Sequence, residues 1–129
     1  MDVWAWILAR VGVVPFPYWA MPGRWLAHSV RGHVFHDDIG QAEPVAGELT
    51  LGWLLHYGVG ILYGVVFLLL AGDDWLITSQ FWPLWIFSLI TIAAGWFLLQ
   101  PGMGLGWAAS KTPNPWKARM LGLIAHTVF

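Results

Sequence analysis

Residues 49–71 read LTLGWLLHYGVGILYGVVFLLLA, and after a short break residues 81–99 read FWPLWIFSLITIAAGWFLL. A helix that crosses a bilayer needs roughly 20 apolar residues to cover about 30 Å of hydrocarbon. The two stretches supply 23 and 19. From Glu48 to Lys111 the only charges in between are the neighbours Asp73 and Asp74. Trp53 and Trp75 bracket the first stretch, and Trp82 and Trp96 the second, as interfacial anchors do.

The competing reading is a helical hairpin buried in a soluble core. Only 10% of the 129 residues are charged, against about 25% in an ordinary soluble domain, too few to cover a soluble surface. The composition excludes more. With no Cys there are no disulfides or thiolate metal sites. A net charge of −1 leaves no electrostatic footprint for nucleic acid. A hydrophobic content of 58% rules out intrinsic disorder.

The ends of the chain are shorter. Met1–Val14 (MDVWAWILARVGVV) is helical in pattern but reaches only about 21 Å at 1.5 Å per residue. Ala118–Phe129 (ARMLGLIAHTVF) begins another apolar helix of roughly three turns. Arg10 follows the first apolar stretch and no small-residue cleavage site appears, which argues against a signal peptide. Both ends are expected to be halves of transmembrane helices. The expected fold is an all-α polytopic four-helix bundle in one membrane domain over residues 1–129, with its first and last helices truncated.

All six Lys and Arg fall in or beside two connections: Arg10, Arg24 and Arg31 near the first, Lys111, Lys117 and Arg119 near the third. The middle connection, Gly72–Gln80, carries only the two Asp. The positive-inside rule then puts loops 15–48 and 100–117 in the cytoplasm, with the chain in an inner (plasma) membrane. Pro15, Pro17 and Pro22 break the first helix. Pro22 is expected to open a short interfacial helix through Val30. Gly102-Met103-Gly104-Leu105-Gly106 looks like a phosphate loop, but it follows a membrane helix and not a strand. Its expected role is close backbone packing at the bilayer edge.

Gly52, His56, Gly60 and Gly64 recur every four residues, a stripe on which helix backbones can approach closely in lipid. His56 on this stripe is expected to face protein. Counting helix rise from the nearest charged residue puts Asp2, His56 and His126 at about 10–12 Å into the membrane. Ionisable groups at that depth by default face the bundle interior and mark a site. Imidazole and carboxylate together suit a divalent metal ion or a proton relay. The plainer reading is an interhelical hydrogen bond, worth about 0.6 kcal/mol in membranes. At the interface, His28, His36 and Asp37 could close a metal site, and His36 with Asp37 could act as an acid/base pair. His33 is more simply solvated, and Arg24 and Arg31, which with Trp25 could contact anionic lipid headgroups, more simply set topology.

The run Gly23-Arg24-Trp25, Arg31-Gly32, His36-Asp37, Gly47-Glu48, Gly52-Trp53-Leu54-Leu55-His56-Tyr57, Gln100-Pro101-Gly102-Met103-Gly104, Ala108-Ala109-Ser110 and Thr112-Pro113-Asn114-Pro115 resembles a bacterial family of small four-helix inner-membrane proteins, the domain of unknown function number 2938. The resemblance covers nearly the whole chain. It implies a fold and a location, and carries no activity with it.

Three classes of function therefore stand. One is a membrane protein handling a metal ion or protons through Asp2, His56 and His126. Another is a non-catalytic accessory or scaffold subunit, partnered by the lipid bilayer and by a second copy or another membrane subunit. The third is a membrane-embedded enzyme acting on a lipid-like substrate.

Overall fold

The computed structural model describes residues 2–13 and 18–128, apart from the side chains at 2, 4 and 128. Among the described residues the regular structure is all helical. Helix α1 is Asp2–Arg10, α2 is Ala20–Val30 and α3 is Glu48–Ala71. A five-residue helix α4, Asp74–Thr78, leads into α5, which runs over Phe81–Gly102, and α6 is Pro115–Val128.

Each boundary has a local cause. Helix α2 starts two residues before Pro22, which sits in its first turn where the missing N–H costs nothing. Past its end at Val30 the chain turns at Gly32 (φ 92°), where His33 N–H bonds back to the His28 carbonyl at 3.0 Å and Gly32 N–H to the Ser29 carbonyl at 3.0 Å. This paired closure needs a left-handed residue just past the helix, and glycine adopts it without penalty. Helix α5 closes the same way at Gly104 (φ 86°), with Leu105 N–H on the Gln100 carbonyl at 2.9 Å and Gly104 N–H on Pro101 at 3.0 Å.

Apolar residues surround α3 and α5 on every side, so neither shows a polar face. A helix apolar all round belongs in a core or in lipid. These are not core helices: 6% of the most apolar stretch of each is buried. Both are long and apolar enough to cross a membrane, which points to membrane association. Helix α5 runs three residues past Leu99, where the sequence places its end. Residues Gly95–Leu99 widen into a π-turn, and Pro101 follows at once. Proline cannot donate to the carbonyl four residues back and its ring crowds that carbonyl. A π-turn loosens the ladder at that point.

Helices α3 and α5 meet through aromatic rings. Phe67 packs on Phe87 at 5.4 Å and on Trp75 at 4.8 Å, and Tyr63 meets Phe87 edge-on at 6.3 Å. Helix α6 lies beside α5, with Ser88 Oγ donating to the His126 carbonyl at 2.7 Å and Trp85 Nε1 to Thr127 Oγ1 at 3.3 Å. The most extensive helix contact joins α2 to the first turns of α3. The principal hydrophobic cluster sits at this same end: Trp25, Ile39 and Met103 are buried, with Met21, Leu26, Val34, Leu55 and Leu99 around them.

Candidate functional site

The polar residues of the first connection gather where α2 crosses α3. The crossing is close because two glycines face it. A Cβ on Gly23 would collide with the Glu48 carbonyl, and one on Gly52 with the Trp19 carbonyl. Gly60 and Gly64, on the same stripe as Gly52, are placed differently: a Cβ there would meet nothing within 4 Å among the described residues.

At this crossing Arg24 is buried and fully engaged. Its Nε donates to Glu48 Oε2 at 2.8 Å and its Nη2 to Glu48 Oε1 at 2.9 Å. Its Nη1 reaches the carbonyls of Ile39 at 3.3 Å, Gly40 at 3.4 Å and Ala42 at 3.0 Å. Glu48 Oε2 in turn accepts from Val45 N–H at 3.1 Å. One guanidinium thus ties residues 39–48 to α2 and to the start of α3. The Glu48 carboxylate hydrogen bond raises the Arg24 pKa further above its ordinary value, against the opposing effect of burial. Sequence reasoning left Arg24 as a topology-setting charge, with contact to lipid headgroups as the other reading. The available signal was Glu48 itself, a lone carboxylate at the head of an apolar helix that needs a cation nearby.

The third connection docks on the first through backbone. Ile39 N–H bonds the Met103 carbonyl at 3.1 Å, and His36 N–H bonds Gly102 at 3.0 Å. Trp25 Nε1 donates to the Val34 carbonyl at 2.8 Å, directly under Gly102. A Cβ on Gly102 would strike the Trp25 indole, and one on Gly104 the Asp37 carbonyl. Close backbone packing is what these glycines do here.

The sequence-selected residues separate into three places. His28 and His36 come together, their rings edge to face at 5.2 Å. His28 donates from Nε2 to the Glu43 carbonyl at 2.9 Å, and His36 from Nδ1 to Gly102 at 3.1 Å. Asp37 follows in the chain, but among the described residues no hydrogen bond joins it to His36. An open groove of about 370 Å³ beside this end is lined by Tyr18, Met21, Pro22, Asp38, Ile39 and Met103 among others, not by His36 or Asp37.

His56 lies elsewhere, in an aromatic nest with Trp19 at 4.1 Å, Tyr57 at 5.0 Å and Trp53 at 5.9 Å. His126 donates from Nδ1 to Gly122 at 2.9 Å within its own helix. It borders a cleft of about 200 Å³ with Tyr63, Phe67, Phe87, Ser88 and Thr91. Tyr63, at the His126 cleft, is seven residues beyond His56, about 10 Å along α3. Arg119, from which the depth of His126 is counted, donates from Nε to the Ala108 carbonyl at 2.8 Å. The Asp2 side chain, with Pro15 and Pro17, lies outside the described residues. Among the described residues no three His, Asp or Glu side chains are grouped as metal ligands.

Over residues 1–129 the chain matches the family model described as "Protein of unknown function (DUF2938)". The chain belongs to this family. No curated protein and no solved structure matches it. Membership in DUF2938 agrees with the motifs that carry the resemblance, and three of them now have a physical role. Gly23-Arg24 and Gly47-Glu48 supply the crossing and its ion pair, and Pro101-Gly102-Met103-Gly104 supplies the backbone that docks on residues 34–39.

Proposed function

We propose that the protein is an integral membrane protein of four membrane-inserted helices that acts as a non-catalytic packing subunit. Its first and third connections, 15–48 and 100–117, face the cytoplasm across a bacterial inner membrane. The carrying observation is the division of labour along α3. Its first turns are consumed by internal bonds to α2, whereas a Cβ on Gly60 or Gly64 would meet nothing within 4 Å, with Gly64 at the edge of the cleft that His126 borders, and Leu54 and Ile61 are exposed. Backbone approach at small residues is how helices associate where lipid removes the hydrophobic drive. The polar end supports the same reading: Arg24 and Glu48 spend their hydrogen bonds on the fold, and His36 and Asp37 form no acid/base pair beside a groove.

A chain without cysteine allows a direct test. Single cysteines at Ser79 and Ser110, in native membranes, should label from opposite faces with a membrane-impermeant maleimide. Single cysteines at Gly60 or Gly64 should form oxidative cross-links to a second helix, and cysteines at the lipid-facing Leu69 or Ile90 should not. Labelling of both serines from one side overturns the topology. Equal cross-linking at all four helix positions overturns the packing face.

A further inference from the structure

We propose that the junction of α1 and α6 binds the phosphate of an anionic phospholipid, held by Arg10 and Lys117. The inference rests on the membrane placement of the helices and is separate from the packing face on α3. Its first support is a charge imbalance. From Trp75 to Phe129 the chain has no Asp or Glu, yet Lys111, Lys117 and Arg119 all fall there. Among the described residues the ion pair is Arg24 with Glu48, and the cations at this junction rest on neutral groups. Lys117 Nζ donates to the Val13 carbonyl at 2.7 Å, and Arg119 Nε to the Ala108 carbonyl at 2.8 Å. Arg10 Cζ lies 4.8 Å from the centre of the Trp6 ring. A carbonyl or a ring orients a cation without cancelling its charge.

The second support is geometry. Helix α1 closes in one tight turn at Gly12 (φ 75°), where Val13 N–H returns to the Leu8 carbonyl at 2.9 Å and Gly12 N–H to the Ala9 carbonyl at 3.1 Å. Lys117 reaches that turn from α6, so its ammonium sits on the same turn that follows Arg10. Both side chains are exposed and keep donors to spare. An ammonium has three N–H groups, of which the Val13 carbonyl takes one. A guanidinium lying over a ring turns its face to it and keeps its in-plane N–H fork for an anion. A phosphodiester offers one negative charge and oxygens that only accept. Trp6, under Arg10, and Trp116, beside Lys117 in the chain, are exposed, and such amphipathic rings belong at the level of the headgroups. That placement favours a lipid phosphate over a free one.

The test is native mass spectrometry of the full chain in detergent micelles, titrated with phosphatidylglycerol and, separately, with zwitterionic phosphatidylcholine. The expected result is one retained phosphatidylglycerol per chain, with phosphatidylcholine held far more weakly. A cation near an anionic headgroup is worth roughly fivefold in affinity, so Arg10→Gln and Lys117→Gln should each weaken binding by about that factor. Lys117→Arg keeps the charge and should keep the binding. Lys111→Gln removes an exposed charge elsewhere on the third connection and should change nothing. Equal binding of the two lipids overturns the site. So does a loss in Lys111→Gln as large as in Lys117→Gln, which would mean a diffuse field, and so does displacement by inorganic phosphate, which would mean a free anion. Wild type alone gives a reading that no variant's folding can disturb: added salt should weaken phosphatidylglycerol binding by screening exposed charges, and salt-independent binding overturns the proposal. A wrong topology shows separately, in the maleimide labelling at positions 79 and 110, which does not depend on lipid charge.

Discussion

Arg24 and Glu48, twenty-four residues apart, form a two-pronged ion pair whose side chains are only 8% and 15% exposed. The third nitrogen of the same guanidinium donates to the carbonyls of residues 39, 40 and 42. Breaking a buried pair from one side leaves an uncompensated charge and costs about 3–5 kcal/mol. Arg24→Met and Glu48→Leu should each lower the melting temperature sharply in detergent micelles. The double variant should be less destabilised than the sum of the two, because no charge is then left alone. A double variant that loses the full sum would show that the carbonyl contacts of Arg24, not the pair, hold this end. The charge of Arg24 adds no pH dependence near neutrality. Its pKa is raised in the fold, so its contribution is complete below the ordinary guanidinium value and falls away only as pH climbs beyond the raised one.

Glycines on one stripe should respond in opposite ways. Gly52→Ala would drive a methyl into the Trp19 carbonyl, and should separate α2 from α3, at a cost of about 1–3 kcal/mol as for other overpacked sites. Gly60→Ala and Gly64→Ala meet open space and should leave the melting temperature of the isolated chain unchanged or slightly higher. Thermal denaturation followed by size-exclusion chromatography distinguishes the two classes.

Gly104→Ala combines two penalties, a left-handed backbone at φ 86° and a collision with the Asp37 carbonyl. The third connection should then lift from the first. The measurement is limited proteolysis of residues 103–114, which should become cleavable in the variant while α3 and α5 stay protected. Retained protection would mean that the docking survives without this glycine.

Trp25→Phe keeps most of the buried ring and removes the donor to the Val34 carbonyl. The carbonyl left behind makes the expected loss about 1–3 kcal/mol. Trp25 is one of 11 tryptophans, too many for fluorescence to single it out, so hydrogen exchange at residues 33–36 is the better readout and should speed up.

The long helices were legible because their signal is one-dimensional. A run between Glu48 and Lys111 broken only by the charges of Asp73 and Asp74 means the same thing whatever it packs against. Helix α2 was nearly as clear, since Pro22 tolerates only a first-turn position. The π-turn at Gly95–Leu99 was hidden. Pro101 announces a disturbance, but whether the helix stops or widens depends on what the following residues can dock on, here Trp25 and residues 34–39.

Histidine placement shows the same division. Spacing along α3 put His56 on a stripe facing protein, and its ring does lie against Trp19. Helix rise put His56 and His126 at similar depths, and the structure adds which residues His126 borders, Tyr63 and Phe67. Rise measures distance along one helix and holds no information about how two helices slide past each other.

Composition and hydropathy alone therefore determined that the chain is helical, that two of its helices can cross a membrane, and where the charges between them lie. These follow from the cost of placing charge in hydrocarbon, which each residue meets by itself. Only the tertiary structure decided that Arg24 belongs to Glu48 and not to lipid, that Gly52 packs where Gly60 and Gly64 do not, and that His28 meets His36. Those are contacts between segments far apart in the chain. Their energies depend on the direction of approach and on shape, which no local period records.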